Sequence, residues 1–162
     1  MPRGIFISFQ HKNRNQAKGF NLLHHNTSVD ISFRGRHFLD PINSENKDYI
    51  WRRIKEQLRG TSVTVVLLGE RTHRSVWVKR EIEESVARGN GVVAIQLKDQ
   101  NCPLPPKSCV GKALNAAGAE IMPWEPHEFA DAIERAALAA GRAMAIRRGL
   151  KTARIGSKSC PR

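Results

Sequence analysis

Three short apolar runs, "GIFISF" at 4–9, "SVTVVLLG" at 62–69 and "VVAIQL" at 92–97, constrain this chain more than anything else in it. Each is strand-length, β-branched and nearly continuous, which is the pattern of a strand buried on both faces rather than on one. Such strands belong to parallel sheets, and parallel neighbours need crossovers long enough to carry a helix. The intervening sequence supplies them. "AKGFNLLHHN" (17–26) predicts a helix burying Phe20 with Leu22 or Leu23, and "DYIWRRIKEQLRG" spaces Ile50, Ile54 and Leu58 one turn apart before Gly60. Residues 75–88 place Val78, Ile82 and Val86 on one stripe and stop at "GNG". "VDISF" (29–33) alternates and reads as a more exposed second strand, and "EIMPW" (120–124) as a short edge strand. A helix follows from Pro126, with Phe129, Ile133 and Ala137 on one face, and a short helix near 110–116 interrupts an otherwise Pro-rich loop. The whole predicts an α/β three-layer sandwich: a mostly parallel five-stranded sheet with helices on both faces.

At 162 residues the chain suits one such domain. We expect it to span 1–141, followed by a basic extension over 142–162 that either prolongs the last helix or is disordered. That extension carries seven Lys and Arg residues and no acid, more than half of the net charge of +12. Such a run is ordinarily a solvated extension, and weak nucleic-acid contact is the main alternative. "MPRGIFISFQHK" lacks the apolar core of a signal peptide and no later run spans a bilayer, so a cytoplasmic location with no membrane contact is expected. Cys102, Cys109 and Cys160 are odd in number and lie in loop or tail sequence, which suits reduced thiols. The histidines at 11, 24, 25, 37, 73 and 127 show no ligand spacing, so no metal is expected. Walker, G-x-G-x-x-G and G-x-S-x-G motifs are absent from the sequence.

In open α/β sheets, ligands gather beyond the carboxyl ends of the strands. The loops at 10–16, 34–47 and 69–75 should open onto that edge, the second of them holding Asp40-Pro41, which disfavours helix. Ser75 is a plausible N-cap, so Glu81, about one and a half turns on, stays near the same edge. The 100° step per residue puts Trp77, Glu81, Glu84 and Arg88 on a stripe flanking the buried one. Glu81 is therefore expected at a border, half in and half out, with Glu83 and Glu84 facing solvent. Read from spacing alone, Glu81 is more simply a surface acid bonded to Arg74 or Lys79.

The strings "IFISF", "GTSVTVVLLGE" and "SVWVKREIEES" followed by "ARGNGVVAI" resemble the TIR-like family of bacterial antiphage Thoeris systems, related to the TIR domains of immune signalling. The resemblance covers roughly residues 4–140. It implies a flavodoxin-like fold and, as in the family's enzymatic members, cleavage of the nicotinamide–ribose bond of NAD+, taken as substrate with no bound cofactor. A glutamate four residues after the helix tryptophan is the family's essential acid, and here that is Glu81. The likeness also implies that Phe6, Ser8 and Gln10 border the nucleotide pocket, with Phe38 and Asp40 in the long loop and Trp77 on the pocket wall. For Phe6 and Trp77 plain core packing remains the alternative, and for Asp40 a turn before proline. Asn13 stands where relatives commonly have aspartate. Phosphates would meet backbone amides, helix ends and Lys12, Arg34 or Arg36. The product, an ADP-ribose or a cyclic isomer of it, would activate a partner effector protein. A non-enzymatic scaffold that docks a partner or self-associates through loop 34–47 is the other expectation.

Overall fold

A computed structural model describes residues 2–29, 31, 33–36, 45–97 and 104–156. Five strands form one sheet: β1 (Arg3–Phe9), β2 (Phe33–Arg36), β3 (Val63–Leu68), β4 (Gly91–Gln96) and β5 (Glu120–Met122). Their order is β2-β1-β3-β4-β5 and every pairing is parallel. The helices are α1 (Arg14–Leu22), α2 (Lys47–Leu58), α3 (Val76–Arg88), α4 (Cys109–Ala116) and α5 (Phe129–Gly156). None of the described helices is long and apolar enough to cross a membrane.

Strand alternation divides the core in two. Ile5, Ile7, Val63, Val65, Leu67, Val93 and Ile95 point to the side covered by α1 and α5, where Phe20, Phe129 and Ile133 complete the packing. Val66, Leu68, Val92 and Ala94 point to the other side, under α3 and α4, while Phe6 lies beneath Ile54 and Leu58 of α2. The three central strands are sealed on both faces, which is why their sequences lack polar alternation.

Three expectations need correction. The second strand is Phe33–Arg36, not 29–33, with Phe33 opposite Arg3 and Arg36 opposite Phe6. Val29 and Ile31 are buried, but the Ile31 amide donates to the Val29 carbonyl and so is turned away from the ladder. Helix α1 begins at Arg14, because its polar first turns face solvent and only Ala17 and Phe20 need burial; Leu22 is 59% exposed and Leu23 is the residue that packs. Pro126 lies in a 3-10 turn (Pro126–Glu128) ahead of α5 rather than in its first turn. Helix α5 then runs 28 residues through Gly141 without a break, about 42 Å at 1.5 Å per residue. Of the basic extension, residues 142–156 are therefore helical.

Candidate functional site

The chain direction switches between β1 and β3: the connection leaving β1 enters α1 on one face, and that leaving β3 enters α3 on the other. Crevices open at such switch points, beyond the carboxyl ends of the strands. Ser75 caps α3 there, its Oγ accepting from the Val78 amide at 3.3 Å. Six residues on, Glu81 turns inward instead of outward and is only 8% exposed. The expected border position is thus a buried one. Arg74 and Lys79 do not hold it: Arg74 donates to His73 Nε2 and Lys79 pairs with Glu83 at 3.5 Å.

What Glu81 meets is β1. Ser8, 1% exposed and near the strand's carboxyl end, donates its hydroxyl to Glu81 Oε2 at 2.5 Å. Below it, Ser85 Oγ donates to the Glu81 carbonyl at 2.6 Å. Because that spends the one proton of Ser85, Thr64 Oγ1, also 2.6 Å away, is the donor to Ser85. Removal from water pushes the Glu81 carboxyl up from 4.5 to about 7, against the smaller opposing effect of the Ser8 hydrogen bond. A carboxylate poised near neutrality at the end of a central strand is a candidate chemical group by its physics alone.

The other candidates distribute around it. Phe6 is 1% exposed and packs with Ile54, Leu58, Ile50, Trp51 and Trp77, as a floor under α2. Trp77 is half-buried in that cluster, its ring centroid 6.4 Å from that of Trp51. Gln10, two residues beyond Ser8, lines a cleft of about 290 Å³ with Lys12, Asn13, Gln16, Glu70 and Arg71. Asn13 is buried there, its amide nitrogen donating to Gln16 at 3.1 Å, and it packs so closely on Gly69 that a Cβ at that glycine would lie 2.4 Å from Asn13 Oδ1. Arg34 is exposed on β2. Phe38, Asp40 and most of the 34–47 loop lie outside the described residues, as do Cys102 and Cys160. Cys109 is a free thiol donating to the His73 carbonyl at 3.3 Å. Among the described residues, no group of three or more His, Cys, Asp or Glu side chains could hold a metal ion.

Two features escaped the sequence reading. Glu84 is not simply solvent-facing: it pairs with Arg88 at 2.8 Å and with Lys55 of α2 at 4.0 Å. Trp51, passed over beside the Ile50–Ile54–Leu58 stripe, stands at the α2–α3 seam with the Arg80 guanidinium 4.4 Å from its ring centroid. Its one signal was a large aromatic one residue off the apolar stripe, followed by Arg52 and Arg53.

Among known families, the model for the Thoeris protein ThsB, TIR-like domain, matches residues 6–102. That range runs from Phe6 within β1 through β4 and includes Ser8, Trp77 and Glu81. No curated protein matches the chain.

Proposed function

The chain belongs to the ThsB TIR-like domain family of the Thoeris antiphage systems, and from that footing in antiphage defence we propose that it cleaves the nicotinamide–ribose bond of NAD+ with Glu81 as the essential acid. The observation that carries this reading is the buried Glu81 carboxyl, held by Ser8 at the carboxyl end of β1 and raised to about 7.

Nicotinamide departs from a cationic ring as a neutral molecule, so it needs no general acid. The charge that develops is an oxocarbenium ion on the ribose. A carboxylate beside that sugar stabilises the cation more strongly the less water intervenes, and accepts hydrogen bonds from the ribose hydroxyls. A resting value near 7 does not oppose this role. The substrate brings positive charge next to Glu81, and an adjacent cation favours the ionised carboxylate. Ser8 keeps one carboxylate oxygen, Oε2, oriented, and in this reading the other meets the ribose. Water attacking the cation yields ADP-ribose, whereas a nucleophile of the same molecule closes a cyclic isomer. The cyclic product is the one we favour, as a diffusible signal to an effector protein.

The test is mass spectrometry of the products formed from NAD+ by wild-type and Glu81→Gln protein, purified and also supplied with extract from phage-infected cells. Nicotinamide release is expected from the wild type and its loss from the variant. Equal release by both would refute the role of Glu81.

A further inference from the structure

Arg80 precedes Glu81 on α3, and helical geometry offers it two acids, Glu83 at i+3 and Glu84 at i+4. Both are engaged elsewhere, Glu83 by Lys79 and Glu84 by Arg88 and Lys55. Arg80 turns instead to two indoles: its Cζ lies 4.4 Å from the Trp51 ring centroid and 5.2 Å from that of Trp77. Lys55 Nζ stands 5.6 Å from the Trp51 ring as well, so two cations meet this seam.

The direction of the side chain places this group. Long side chains on a helix lean back over the preceding turn, and Trp77 is the residue of α3 that Arg80 covers. The guanidinium therefore lies over the first turn of α3, toward the same strand ends at which Ser8 holds Glu81. Trp51 arrives from the first turns of α2, which begin at that edge too. Stacking uses the faces of a guanidinium and leaves its in-plane N–H groups available. Arg80 makes no hydrogen bond or ion pair among the described residues. A planar cation fixed by aromatic rings, with its donors unspent, is preorganised for the oxygens of a phosphate.

We propose that Arg80, clamped by Trp51 and Trp77, binds the diphosphate of the dinucleotide whose ribose meets Glu81, and so makes the site select phosphorylated nucleotides over nucleosides. The proposal rests on the reading of Glu81 given above for the identity of the ligand, but not for the existence of the phosphate site. Trp51 and Trp77 supply the readout, because an anion docking on their shared guanidinium alters their emission. Trp124 packs on Phe20 and Phe129 on the opposite face of the sheet and acts as an internal constant.

The experiment titrates ADP and adenosine into wild-type, Arg80→Gln, Arg80→Lys, Trp51→Phe and Glu81→Gln proteins, following tryptophan fluorescence. It then compares kcat/KM for NAD+ and for nicotinamide riboside, which has no phosphate. Wild-type protein should bind ADP more tightly than adenosine. Arg80→Gln should lose about ten- to a hundredfold in ADP affinity and in kcat/KM for NAD+, the scale of a lost charge-assisted pair, with the nucleosides unaffected. Arg80→Lys should recover only part, because an ammonium does not present a planar fork. Trp51→Phe keeps a ring under the guanidinium and should retain the preference, showing that the seam still folds. An ADP-to-adenosine ratio that is unity in the wild type, or unchanged in Arg80→Gln, overturns the proposal. Glu81→Gln protein that keeps both the ADP preference and nicotinamide release would sink the catalytic reading while leaving Arg80 as a phosphate site.

Discussion

Replacing Glu81 by Gln should stabilise the protein at alkaline pH and do almost nothing at acid pH. Burial raises the folded-state value from 4.5 to about 7, so the folded chain holds the proton more tightly than the unfolded one. A raised folded value means that the stabilising effect of the proton is complete below 4.5 and is lost as pH climbs through about 7. Integrated over that window, ionisation makes the folded state about 3 kcal/mol less stable, and about 2.5 kcal/mol of that falls between about pH 5 and about pH 8. Glutamine has nearly the same shape, still accepts from Ser8 through its amide oxygen and never ionises. The difference between variant and wild type should therefore grow by about 2.5 kcal/mol from about pH 5 to about pH 8, or about 5–10 °C in melting temperature for a chain of this size. Urea denaturation of both proteins across that range measures it. Other titrating groups are common to both proteins and cancel in the difference. Parallel stability curves would mean that Glu81 is hydrated or paired in the folded protein, and would remove the electrostatic basis of the proposed site.

One further substitution tests the Glu81 geometry from the other side, and two test the packing of α5. Ser8→Ala removes the hydrogen bond that opposes desolvation, so the acidic limb of the pH profile of kcat/KM for nicotinamide release, set by ionisation of Glu81 in the free protein near 7, should move upward, with kcat/KM falling more at about pH 6.5 than at about pH 8.5. An unmoved limb would assign it to another group. At Gly91 a Cβ would stand 2.3 Å from the Ala136 carbonyl oxygen, so Gly91→Ala must drive α5 off β4 at a cost of about 1–3 kcal/mol. Gly141, later in the same helix, has nothing within 4 Å of its Cβ position, and Gly141→Ala should stabilise by about 0.5–1 kcal/mol. Thermal melts giving both substitutions the same sign would contradict the packing of α5.

The sheet was legible because burial on two faces leaves a one-dimensional trace. The apolar runs of β1, β3 and β4 match the ladders to within one residue at nearly every end, whereas β2, at the sheet's edge, was misplaced by its alternation. Alternation reports which side chains face the core, but a strand is defined by its hydrogen bonds, and the amide of Ile31 spends its own on Val29. The site was legible in a different sense. Spacing brought Glu81 to the carboxyl edge and no further, since a helical stripe resolves orientation to about one residue's 100° step. Whether a border acid is wet or buried depends on what crosses above and below it. Here that is the seryl hydroxyl of a strand 73 residues away in sequence. The same limit hid Trp51 and the free guanidinium it holds. In the sequence Arg80 has two acids at the right spacing, Glu83 and Glu84, and only the ion pairs of the folded chain show both of them taken. A cation held by two indole rings and a carboxylate withdrawn from water thus occupy neighbouring positions of one helix, and the second of these, whose ionised form is penalised by burial, is an arrangement that folding alone does not ask for.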